Sequence, residues 1–78
     1  GTLFPYTTLF RSRAIQVSYE MTSEKTKKRE IEGLLEAMQT YDLDSGIILT
    51  GNEEEELQID QKAIQIIPVW KWLLEVNT

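Results

Sequence analysis

The sequence has no cysteine and no histidine. That excludes disulfide staples, thiolate chemistry, Cys/His zinc sites and a histidine general base. Basic residues are scarce too. Eight Lys and Arg stand against thirteen Asp and Glu, for a net charge of −5 and a pI near 4.6. Without clustered cations, counterion release does not favour nucleic acid, and an anionic membrane surface is equally disfavoured. No apolar run approaches the roughly 20 residues of a membrane span. The first residues lack a basic leader, a continuous apolar core and a small-residue cleavage site, so they do not read as a signal peptide. At 78 residues the chain is at most one small domain, and its stability margin is thin. The absence of Cys fits a reducing compartment, and the expected location is cytoplasmic.

What is present is patterned. Ile15, Val17 and Tyr19 alternate with Gln16 and Ser18, which is the period of a strand. Thr22-Ser23 then offers an N-cap, and Glu24 suits the positive end of a helix. From Ser23 to about Tyr41 the period is helical, with Ile31, Leu34, Leu35, Met38 and Tyr41 expected on one buried stripe. Glu24–Lys28 and Lys28–Glu32 have the i,i+4 spacing of exposed ion pairs. Gly33 costs roughly 1 kcal/mol against Ala within a helix, so it is either tolerated or kept for a close neighbour.

Asp42 to Gly46 closes the helix and turns. Gly46-Ile47-Ile48-Leu49-Thr50 is a continuous apolar run, the pattern of a strand covered on both faces. Strand, helix and strand with short connections predict a βαβ unit with parallel strands and a right-handed crossover. Gly51-Asn52 is a turn. Glu53–Ile59 and Ala63–Ile67 read as a hairpin broken at Asp60-Gln61-Lys62. Pro68 ends the second strand and opens a short helix, Val69–Glu75, with Trp70, Leu73 and Leu74 on one side.

Three clusters invite a chemical reading. Glu53–Glu56 could suggest a cation site, but neighbours on a strand point alternately up and down, so a solvated edge is the better reading. Such an edge also resists pairing with another chain. Lys25–Arg29 is the basic cluster, and on a helix it spreads around the axis among Glu24, Glu30 and Glu32. It reads as a solvated face rather than a phosphate contact. Trp70 and Trp72 beside Lys71 could stack a base. Large aromatics near Pro and a Leu-Leu pair are more often core anchors, and Trp70 is expected in the core before Trp72. No Gly-rich phosphate loop and no catalytic triad set is present.

Two resemblances add to this reading. Taken at face value, residues 3–10 are β-prone, with Pro5 confining them to an edge or a strand start. Yet Thr2-Leu3-Phe4-Pro5-Tyr6-Thr7-Thr8-Leu9-Phe10-Arg11-Ser12 resembles the in-frame translation of a sequencing adapter. That implies an artefactual segment over 1–12 and a natural part over 13–78, so 1–12 are excluded from the expected fold. The succession IQVSYE, KREIEGLLEAM, GIILT and IQIIPVWKWLL resembles the C-terminal end of a prokaryotic family of ATP-binding proteins. In that family an AAA-type ATPase domain precedes a C-terminal domain of unknown function with a PD-(D/E)XK restriction-endonuclease-like fold.

The resemblance implies an α/β chain with part of that fold: a β-α-β unit, a β-hairpin and a short C-terminal helix. Nucleases of this fold carry an acid, a spacer and a Lys on the strand matched by Gln16, Val17 and Ser18. The acid binds the metal and the Lys polarises the attacking water or the phosphate. Gln stands in for the acid in some active members, whereas Ser18 cannot replace Lys. Gln16 and Ser18 are therefore degenerate nuclease-motif positions, with no catalytic, cofactor-binding or metal residue assigned. Asp42 stands where the family often has Gly at the helix end, and Gln61 where a hairpin Gly is common, which puts local turn geometry in question.

The expected function is that of a non-catalytic C-terminal fragment of an ATPase's accessory domain, active in packing or partner contact and not itself an enzyme. ATP and Mg are implied only for the absent ATPase domain. The implied partners are the missing N-terminal part of its own chain and a further protein, with no membrane. DNA enters through one alternative, a remnant of a metal-dependent nuclease in which Lys27 or Lys28 supplies the missing charge. A free-standing small binding module is the other.

Overall fold

The computed structural model describes residues 7–10, for their backbone, and 13–77. Five strands and two helices follow in the order β1 (Thr7–Phe10), β2 (Arg13–Val17), α1 (Glu24–Thr40), β3 (Ser45–Thr50), β4 (Glu55–Ile59), β5 (Lys62–Pro68) and α2 (Val69–Val76). The strands form one mixed sheet in the order β1-β2-β3-β5-β4. β2 pairs parallel with β3, Ile15 opposite Ile47, and β3 pairs parallel with β5, Ile48 opposite Ile66. β1 and β4 add antiparallel at the two edges. The expected βαβ unit, hairpin and short terminal helix are all present.

The central strand is β3, and every residue from Gly46 to Thr50 is buried. Its continuous apolar run follows from having a helix over each face. On one face Ala14, Ile48, Ile64 and Ile66 meet Leu34, Ala37 and Met38 of α1. On the other, Ile15, Ile47, Leu49 and Ile67 meet Val69 and Trp72 of α2. Gly46 lies beneath α1, where an added Cβ would come within 2.8 Å of the Met38 sulfur and 3.0 Å of Leu34. The missing side chain lets the helix seat on the sheet.

α1 is capped at both ends. The Ser23 hydroxyl accepts from Thr26 N–H at 3.4 Å. At the other end Leu43 N–H donates to Met38 O and Asp42 N–H to Gln39 O, with Asp42 at φ 55°. This is a Schellman motif with Asp at the left-handed position, and Leu43 closes it by packing on the core that holds Met38. The buried residues of α1 are Glu30, Gly33, Leu34, Ala37 and Met38. The expected stripe is therefore rotated. Leu34 and Met38 lie at its centre, Ile31 and Leu35 are half-buried, and Tyr41 is exposed at the C-cap.

Two expectations need correction. Residues 7–10, set aside as part of a foreign segment, form an edge strand along β2. An open sheet edge binds through backbone N–H and C=O groups, which any β-prone segment supplies. The remainder of 1–12 lies outside the described residues. The second correction concerns α2. Trp70, Leu73 and Leu74 are exposed at 54%, 46% and 63%, while Val69 and Trp72 pack on the core. The helix has turned away from the face that its Leu-Leu pair suggested. Trp72, not Trp70, is the anchor.

Candidate functional site

The strand that carries Gln16, with Ser18 just beyond it, is the natural place to build a site. Gln16 lies on the α1 face of β2, because Ala14 and Gln16 share a side while Arg13, Ile15 and Val17 point the other way. It is fully buried. Its side-chain amide donates to the Glu30 backbone carbonyl at 2.9 Å and to Glu30 Oε1 at 2.8 Å. Glu30 is itself 5% exposed, so a carboxylate and an amide sit together under the helix. A buried polar pair of this kind is tolerated because each member satisfies the other. Arg29 Nε stands 3.9 Å from Glu30 Oε2 at the rim of the pair.

Ser18 does not join them. It follows the end of β2, half-buried, and its backbone N–H donates to Leu49 O at 2.8 Å. Glu20 is exposed. Among the described residues, no three acidic side chains converge in a metal-binding group. Gln16 and Glu30 can orient each other and fix α1 against β2.

Glu30 was missed at the sequence level as a partner of Gln16. Its signal was present, since Glu30 stands at i relative to Gly33, Leu34, Ala37 and Met38 and so falls on the buried face. A carboxylate in such a stripe asks for a buried donor.

The acidic run does more than face solvent. Glu54 and Glu55 point to opposite sides of the sheet edge, and each meets a lysine from the helix on its own side. Lys71 of α2 pairs with Glu54, and Lys27 of α1 pairs with Glu55. The hydrogen bond that Lys27 donates to Glu55 holds its ammonium above the ordinary lysine value, and the one that Lys71 donates to Glu54 does the same. Lys25, Lys28 and Arg29 are exposed, as a solvated face predicts. The i,i+4 pairs Glu24–Lys28 and Lys28–Glu32 do not close; the lysine that pairs is Lys27, across to the hairpin.

Among the open concavities, two border the hairpin. One, about 440 Å³, runs between α1 and β4 over Ile31, Leu35, Leu57 and Ile59. The other, about 430 Å³, includes polar side chains Arg13, Ser45, Gln58 and Gln65 at the sheet. No described helix is long and apolar enough to cross a membrane.

Comparison with known proteins gives a limited outcome. No family model matches the chain. No solved structure matches it. The chain is 41% identical over 66 residues to an uncharacterized protein of Methanocaldococcus jannaschii. The match takes in 77% of this chain and 15% of that relative, so the chain spans a small part of the relative's length.

Proposed function

We propose that residues 13–78 are the end of an accessory domain, of restriction-endonuclease-like descent, in a longer prokaryotic AAA-type ATP-binding protein. On this reading the segment serves packing and contact, not catalysis, and ATP with Mg belongs to another part of the parent. The cytoplasm is the matching location. The strand–helix–strand–hairpin–helix order and the small share of a much longer relative support it. The sequence resemblance supplies the family.

One observation carries the reading. By the resemblance Gln16 stands where a nuclease of that fold would hold its metal, and its amide is engaged by Glu30 inside the core. Two hydrogen bonds donated to Glu30 fix the Gln16 side chain beneath α1, inside the core. Ser18 brings no cation to the next position. Phosphodiester cleavage asks for carboxylates that converge on an ion and an activated water.

Titration of the chain with Mn²⁺, followed by a nicking assay on supercoiled and branched DNA, tests this. The expected result is no micromolar metal binding and no cleavage above background. Nicking that disappears in a folded Gln16→Ala variant, together with its metal binding, would establish the nuclease instead.

A further inference from the structure

β4 is the outermost strand of the sheet, and among the described residues it pairs only with β5. Its other edge is open. Ile59 and Lys62 flank a two-residue loop, so they form a hydrogen-bonded pair, and Leu57 and Glu55 repeat that pairing along the ladder. Glu56 and Gln58 fall at the alternate positions. Their backbone N–H and C=O groups therefore point away from β5, toward the open edge. Both residues are exposed.

The two faces of this edge differ in chemistry. Leu57 and Ile59 lie on the α1 face. With Ile31 and Leu35 they border the groove of about 440 Å³. Glu56 and Gln58 lie on the opposite face. A further strand would run about 4.8 Å beyond β4. Its residues opposite Leu57 and Ile59 would enter the groove, and its residue opposite Glu56 would stand beside that carboxylate.

We infer that the β4 edge accepts an added strand from another protein, an extended segment in which apolar residues alternate with Lys or Arg. The open backbone groups supply the ladder, the groove takes the apolar side chains, and Glu56 takes a basic one. Charge selects this occupant. The run Glu53–Glu56 repels a second copy of net charge −5 and attracts a basic strand. Outside the helices, no basic residue of this sequence stands between two apolar ones. A second copy therefore does not supply the strand. The inference rests on the hairpin edge and is independent of the nuclease-like reading.

NMR titration of the isotope-labelled 78-residue chain with a capped peptide alternating Val and Lys tests it. The expected Kd is about 100 µM, with the largest amide shifts at Glu56 and Gln58. Gln58→Pro removes an outward N–H, leaves the ladder to β5 in place and abolishes binding. Glu56→Lys, at an exposed position, keeps the fold and raises Kd at least tenfold. A peptide alternating Val and Glu does not bind. Absence of any shift up to about 2 mM peptide overturns the inference. So does binding that survives Gln58→Pro or is indifferent to Glu56→Lys. Equal binding of a scrambled peptide of the same composition overturns it too, because charge alone would then hold the peptide.

Discussion

α1 and α2 sit on opposite faces of one sheet and are built on different terms. α1 has 17 residues, a side-chain cap at Ser23 and a Schellman close at Asp42. Five of its residues are buried, and its outer face is charged. α2 has 8 residues, begins at Pro68 with no side-chain cap, and has no fully buried residue. Its outer face is Trp70 and two leucines. The first helix buries the centre of its apolar stripe and leaves Ile31 and Leu35 half-buried beside an open groove. The second leaves Trp70, Leu73 and Leu74 exposed. The difference shows that hydrophobicity alone does not rank a helix by its place in the core. α1 has the lower mean hydropathy of the two and the deeper burial.

The contrast breaks first at leucine. Leu34 is fully buried between α1 and the sheet, whereas Leu74 is 63% exposed. Leu34→Ala is expected to cost about 2–5 kcal/mol, enough to unfold so small a domain, and Leu74→Ala less than about 0.5 kcal/mol. Urea denaturation of both variants checks this. Comparable losses would mean that α2 is as much a part of the core as α1.

Next comes the polar pair. Gln16→Leu removes the donor that Glu30 faces and leaves a carboxylate buried beside new apolar atoms. The expected cost is about 1–3 kcal/mol. Adding Glu30→Leu should recover part of that loss, because two apolar partners no longer strand a polar group. The coupling from the double-mutant cycle measures the pair. A coupling near zero would show that Gln16 and Glu30 are buried independently of each other.

Much of this fold could be read from the residues, and the failures have identifiable causes. Gly46–Thr50 announced a doubly covered strand because no polar residue interrupts it until Thr50. The hairpin followed from the break at Asp60-Gln61. The doubt about local turns at Asp42 and Gln61 was well placed, since both have positive φ, as does Asp60. The inward side of α2 was not legible. An apolar arc of about 200° offers more than one burial register, and the packing that orients the helix, Val69 and Trp72 against Ile15, Ile47 and Leu49, comes from strands distant in sequence. The Gln16–Glu30 pair was hidden for a similar reason. Periodicity can place Gln16 on a face and Glu30 on a stripe, but it does not say that the two meet.

The β4–β5 turn sharpens the comparison between well-closed and loosely closed parts of the chain. Ile59 pairs with Lys62, which leaves Asp60 and Gln61 as a two-residue loop, both with φ above zero, at 50° and 69°. That is the geometry of a type I′ turn, which favours Asn-Gly. Gln61→Gly is expected to stabilise by about 0.5–1 kcal/mol, relief of left-handed strain outweighing the greater freedom of glycine in the unfolded chain. A higher thermal midpoint with unchanged denaturant slope is the confirming result. A lower midpoint would show that the Gln61 side chain contributes a contact that outweighs the strain.

The smallest effect concerns the two lysines, which tie the unlike helices to the same acidic run. Lys27, 24% exposed, is the more sheltered; Lys71 is 39% exposed. Exposed pairs of this kind contribute about 0–1 kcal/mol, so Lys27→Met should cost no more than that at neutral pH. The folded state holds the Lys27 proton above the ordinary value of 10.5, chiefly through the hydrogen bond to Glu55. A group with a raised folded pKa stabilises fully below its unfolded value and loses that contribution as pH rises through the folded one. The gap in denaturation midpoint between the natural chain and Lys27→Met should therefore stay level up to about pH 10 and close above 10.5. Lys71→Met should follow the same curve with a smaller gap, because the pair it breaks is more open to water. A gap that persists at higher pH would mean that the lysine stem, which lines the groove beside α1 together with Ile31 and Leu57, stabilises by its methylenes and not by its charge.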